Sequence, residues 1–163
     1  RLAAETPGPV YVRMGRASVP AVYAPDVELE LGKAYVIDEG TDVSIIACGL
    51  EVTEARKAAE KLAEEGISAE VIDAFSVKPL DAETILASLA KTGCAVVAEE
   101  HSVYGGLCSA VSELCAESQP TPLEFVAVRD RFGKSGEFEE LMAYFGLDAA
   151  SIVQAAKKVL MRK

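Results

Sequence analysis

From residue 33 onward the chain alternates short apolar runs with segments whose apolar residues return at helical spacing, and that alternation restricts its fold more than anything else. Residues 33–37, the turn Asp38-Glu39-Gly40 and residues 42–48 (DVSIIAC) predict a hairpin that enters a buried central strand. Val52, Ala55, Ala59 and Leu62 then mark a helix that ends at Gly66, a good C′ residue. Residues 69–75 read as a second buried strand, and Asp81 is placed to cap a helix carrying Ile85, Leu86 and Leu89. Residues 94–98 (CAVVA) form the next strand, and beyond Gly106 a helix carries Leu107, Ala110, Val111, Leu114 and Cys115 on one face. Residues 123–128 make a last strand, and two short helices, around 137–145 and 148–160, close the chain. Strands joined through helices by short connections imply right-handed crossovers, hence an α/β fold with a largely parallel sheet covered on both faces.

The amino-terminal stretch does not fit this alternation. Residues 9–14 (PVYVRM) read as a strand with no preceding helix to cover it, and residues 17–32 form a polar connection punctuated by Pro20 and Pro25, as an interdomain linker would. The domain proper is therefore expected to start near Gly32, with the first thirty residues the tail of something else. At 163 residues the chain is the size of one domain and needs no disulfide or metal for stability. Sixteen Lys and Arg against 26 Asp and Glu give a net charge of −10, with the basic residues scattered, which argues against nucleic acid and anionic membranes as partners. Cys48, Cys94, Cys108 and Cys115 lack CxxC spacing, and at least three fall inside predicted strands or a helix as small buried hydrophobes. That pattern fits a reducing cytoplasmic setting. The apolar runs are far shorter than the ~20 residues of a membrane helix, and no signal-peptide pattern opens the chain, so a soluble intracellular protein is expected.

Four places can carry chemistry. His101, the only histidine, follows Glu99 and Glu100 at the carboxyl end of an expected parallel strand, where open α/β sheets place their binding crevices. It is either a general acid/base tuned by a neighbouring carboxylate or a ring bonded to backbone at a strand end. Gly105-Gly106 either opens helix amides to an anion or allows a tight turn and close packing, and the structural reading is the stronger. Arg13 and Arg16 lie at and just past the end of the first strand, where a guanidinium fork can hold a phosphate, or simply stay solvated. Residues 129–136 (RDRFGKSG) are either a ligand loop or a self-neutralised surface turn.

Taken together, several segments resemble the carboxyl-terminal part of transketolases, the thiamine-diphosphate enzymes. They are Val12-Arg13-Met14-Gly15-Arg16, residues 71–81 (VIDAFSVKPLD), Glu99-Glu100-His101 through Gly105-Gly106, and Ser135-Gly136 with Glu140-Leu141 and Phe145-Gly146-Leu147. They run in family order and cover nearly the whole chain. The resemblance implies a three-layer α/β/α domain with a mostly parallel five-stranded sheet and one short antiparallel strand over residues 32–163, with residues 1–31 the tail of the pyrimidine-binding domain plus linker. It implies that Arg16, at the position of a family arginine that helps bind the sugar phosphate, does so here, with Arg13 counted beside it in substrate-phosphate binding as its best supporting neighbour. Glu99, His101, Gly105 and Gly106 then serve structure or stand near ligand, and no catalytic residue or metal ligand is expected on this chain.

The family's diphosphate and metal motif and its activating glutamate lie in regions this sequence does not contain. The resemblance thus implies a fragment or subunit of a transketolase, which moves a two-carbon ketol group between sugar phosphates with thiamine diphosphate and a divalent metal (Mg or Ca). The chain alone is expected to be inactive and to bind neither. Its expected partners are the N-terminal and pyrimidine-binding domains, within a cytoplasmic homodimer. The rival readings are a related thiamine enzyme, either deoxyxylulose-phosphate synthase or the β subunit of a 2-oxoacid dehydrogenase, and a stand-alone anion-binding or interaction module.

Overall fold

The computed structural model describes residues 1–16 and 18–163, so Ala17, the first residue of the predicted linker, lies outside the described residues. The apolar runs become β1 (Tyr35–Asp38), β2 (Val43–Ala47), β3 (Ala69–Asp73), β4 (Ala95–Ser102) and β5 (Leu123–Val128). They form one sheet in the order β1-β3-β2-β4-β5, parallel throughout except for the antiparallel β1–β3 pair. The helices are α1 (Leu2–Glu5), α2 (Leu50–Glu64), α3 (Ala82–Thr92), α4 (Leu107–Glu117), α5 (Phe138–Phe145) and α6 (Ala149–Leu160). Successive strand residues point to opposite faces, so the sheet feeds two cores. Ile45, Val71 and Val96 meet Val52 and Leu62 of α2 and Ile152 of α6. On the other face Ile46, Ile72 and Val97 meet Ile85 and Leu89 of α3 and Leu107 and Val111 of α4. This is the expected three-layer α/β/α architecture.

Local signals account for most boundaries. Asp81 caps α3 by accepting from the Thr84 amide at 3.2 Å, and its other oxygen accepts from the Ala34 amide at 3.0 Å, which ties the start of the domain to that helix. Gly66 follows α2 with φ +79, and the four cysteines are free, with Cys94, Cys108 and Cys115 buried. On α4 it is Cys108, with Leu107, Val111 and Cys115, that is buried, while Ala110 and Leu114 stay partly exposed. No helix among the described residues is long and apolar enough to cross a membrane.

Two sequence expectations are corrected, and one element is added. β1 and β2 do not form a hairpin, because β3 inserts between them. The connection is drawn against the start of β3 instead: the Thr41 and Asp42 amides donate to the Ser68 carbonyl, and a Cβ on buried Gly40 would lie 2.2 Å from the Ala69 carbonyl carbon. Residues 9–14 are not a strand, since nothing within the described chain pairs with their backbone; Tyr11, Val12 and Met14 are exposed. The short helix α1 has no counterpart in the sequence reading, and its single turn buries nothing.

Candidate functional site

The chain leaves β2 for β3 on one side and then crosses to β4 on the other, so the carboxyl ends of β2 and β4 flank the topological switch point. At the end of β4 the register against β5 breaks between Ala98 and Ser102. Such a bulge leaves residues outside the ladder and re-aims their side chains. Here it turns Glu99 toward α4: its Oε2 accepts from the Leu107 amide at 2.8 Å and its Oε1 from the Cys108 amide at 2.7 Å. Gly106, the N-cap residue, contributes no side chain of its own, and a Cβ there would sit 2.1 Å from Glu99 Oε2. The glycine is thus required by the carboxylate that caps the helix from the strand, a cap of a kind worth about 1 kcal/mol. The amides that Gly105-Gly106 would offer to an anion are occupied from within the chain.

His101 sits beside this cap. Its Nδ1 bonds the Ser102 carbonyl oxygen at 2.8 Å and lies 3.9 Å from Glu99 Oε2. The ring is held by backbone, while the Glu99 carboxylate is committed to α4. The nearby thiols are not nucleophiles either: burial, then Glu99 and Asp73, push Cys48 up to about 12, and burial with Glu99 raises Cys108 further.

The amino-terminal segment lies across these strand ends. An Arg13 Nη2 proton is donated to the Glu100 carbonyl oxygen at 2.5 Å, and a Cβ on Gly15 would lie 3.5 Å from Glu100 Oε2. Farther on, Tyr23 donates its hydroxyl to Asp73 Oδ2 at 2.8 Å, at the end of β3. Tyr23 also meets Tyr35 edge-on, and Tyr35 stacks on Phe75. Burial raises the pKa of both members of the Tyr23–Asp73 pair, more than the shared hydrogen bond lowers that of Asp73. Between these two attachments Arg16 is exposed and has no hydrogen-bond or ion-pair partner among the described residues. Arg13 and Arg16, taken together in the sequence reading, therefore stand in different situations.

Charged groups gather at two further places. Glu51, in the first turn of α2, is fully buried, and neither carboxylate oxygen has a partner among the described residues. Burial first, then Glu54, Glu100 and Asp148, push its pKa to about 9, so it is neutral at pH 7. An acid in a helix's first turn is ordinary dipole chemistry, so no sequence signal marked this one. In the 129–136 loop, the Arg131 guanidinium lies 5.4 Å from the ring centres of both Tyr144 and Phe145, and Lys134 Nζ lies 4.4 Å from that of Tyr144. Arg131 and Lys134 thus face α5 and Arg129 turns back onto Phe125 of β5, while Phe132 is fully exposed. Among the described residues no group of three metal-ligating side chains stands together.

Known proteins share this architecture. The family described as transketolase, C-terminal domain, matches residues 32–152. The chain is 48% identical over 156 residues to the 6-deoxy-6-sulfo-D-fructose transketolase subunit SqwH of Clostridium sp. (strain MSTE9), covering 96% of this chain and 48% of the relative. It is 42% identical over 157 residues to an apulose-4-phosphate transketolase subunit of Phocaeicola vulgatus, covering 96% and 50%. A solved structure titled "Split gene transketolase, inactive beta4 tetramer" superimposes with a TM-score of 0.94 at 46% identity, over 98% of this chain and 52% of that one. The chain thus spans about half the length of the proteins it matches. With the family profile covering most of its residues and the same backbone course, this chain belongs to the transketolase family and carries its C-terminal domain.

Proposed function

We propose that this chain is the C-terminal section or subunit of a transketolase, which transfers a two-carbon ketol group from a ketose phosphate to an aldose phosphate, and that it is inactive alone. Residues 1–31 are the end of the pyrimidine-binding domain with its linker, and residues 32–163 are the C-terminal domain. The carrying observation is Arg16, an exposed guanidinium without a partner among the described residues, on a segment attached at both ends across the carboxyl edge of the sheet. A dianionic sugar phosphate matches a planar, permanently charged fork. Binding the far end of the sugar there holds the reacting carbon in place, so remote binding energy serves the transfer.

Among the described residues no group of three metal-ligating side chains stands together, Glu99 is committed to capping α4 and Glu51 is held neutral by burial. On the family likeness, thiamine diphosphate and its divalent metal (Mg or Ca) are assigned to the remainder of the enzyme, the N-terminal and pyrimidine-binding regions. The exposed apolar side chains of Val10, Tyr11 and Val12 are suited to lie against that partner, and the whole is read as a cytoplasmic homodimer. Mixed with its N-terminal section and thiamine diphosphate, the chain is expected to support transfer from ketose phosphates and none from pyruvate. Turnover of pyruvate instead would replace this reading with a deoxyxylulose-phosphate synthase or 2-oxoacid dehydrogenase.

A further inference from the structure

Arg13 and Arg16 differ in what holds them. The residues between them are exposed and make no sheet hydrogen bonds, so nothing in the 14–16 backbone itself fixes where Arg16 points. What restrains the stretch is its ends. Arg13 is bonded to the Glu100 carbonyl, three residues before Arg16, and Tyr23 is bonded to Asp73, seven residues after it. Three residues of extended chain reach only about 10 Å, so the first attachment sets the position of Arg16 far more tightly than the second.

The acceptor is itself fixed. The β4 bulge takes Glu100 out of the ladder with β5, which leaves its carbonyl available, and the neighbouring Glu99 is locked by its two bonds to α4 in a space that Gly106 keeps open. A rigid chain of contacts thus runs from α4 through Glu99 and Glu100 to the Arg13 guanidinium. Charge-assisted bonds of this kind are among the stronger polar contacts, and holding a binding group in place beforehand avoids ordering it when ligand arrives.

We infer that Arg13 is a positioning residue: through the Glu100 carbonyl it sets Arg16 against the C-terminal domain, and it does not itself contact the sugar phosphate. This rests on the reading of Arg16 as the phosphate anchor. In the enzyme reassembled with its N-terminal section, Arg13→Ala is expected to raise KM for ketose and aldose phosphates about tenfold, with kcat and the KM of unphosphorylated substrates unchanged. Arg13 is exposed, so its removal leaves the core intact, which a thermal melt of the variant verifies.

The Arg13→Ala/Arg16→Ala double variant gives the decisive comparison. If Arg13 acts through Arg16, the double variant is no worse than Arg16→Ala alone, because the group being positioned is gone. Losses that multiply mean Arg13 touches substrate on its own account, which overturns the inference. So does an Arg13→Ala enzyme with unchanged KM while Arg16→Ala is impaired, an outcome that leaves the anchor reading standing. If Arg16→Ala itself leaves phosphate substrates unaffected, the anchor reading fails and this inference falls with it.

Discussion

Replacing Glu51 with glutamine is expected to flatten the chain's pH–stability profile by about 4 kcal/mol between pH 5 and pH 8. The group is buried without a hydrogen-bond partner among the described residues and shares its surroundings with Glu54, Glu100 and Asp148, so its charged form is disfavoured and its pKa stands near 9 rather than 4.5. The sign follows from linkage: between those two values the folded chain retains a proton that the unfolded chain releases. The stabilisation is complete below about pH 4.5 and is lost as pH rises toward 9, at about 1.4 kcal/mol per pH unit. Glutamine keeps the shape and a buried polar group but binds no proton, so the pH-independent cost of burial remains while the slope goes. At about 2–4 °C per kcal/mol for a chain of this size, parent and variant melting curves should separate by roughly 10 °C between pH 5 and pH 8. Melting temperatures that run parallel with pH in the two proteins would mean that Glu51 is ionised and has found a partner.

The second large effect is functional. In the reassembled enzyme, Arg16→Ala is expected to raise KM for phosphorylated substrates about 30-fold, since a charge-assisted contact to a phosphate is worth about 2 kcal/mol. The KM of unphosphorylated ketoses should stay within about twofold, because they offer nothing to the guanidinium. Lysine at this position should recover only part of the loss, as it supplies charge without the fork. Equal effects on phosphorylated and unphosphorylated substrates would remove Arg16 from the site.

Much of the fold was legible because each element buries one face against another. Residues 123–128 and the two closing helices carry patterns that only one secondary structure satisfies, and their observed bounds follow. Pairing was less legible. A polar Asp38-Glu39-Gly40 turn looks the same whether the next strand lies alongside or β3 inserts between, and only the contact of Gly40 with the Ala69 backbone decides it. Residues 9–14 have strand composition, but composition cannot supply the neighbouring strand, and within the described chain none is there.

At the site, the run Glu99-Glu100-His101 invites an acid/base reading because the three are adjacent in sequence. The bulge after Ala98 separates their tasks: Glu99 caps α4, the Glu100 carbonyl holds Arg13 and His101 bonds the Ser102 carbonyl. The Tyr23–Asp73 bond joins positions 50 residues apart, and the burial of Glu51 is a tertiary property, so neither leaves a local pattern to read. For Arg16 the residues alone left two readings open, a phosphate fork or a solvated side chain, and only the family likeness favours the first.

Ketol transfer between sugar phosphates, assayed with thiamine diphosphate and Mg for the 163-residue chain by itself and again after mixing with its N-terminal section, is the most direct measurement. Activity that arises only in the mixture, with no thiamine diphosphate retained by the chain alone, is the expected result. Transfer by the unmixed chain, or tight binding of the cofactor to it, would contradict the division of labour proposed here.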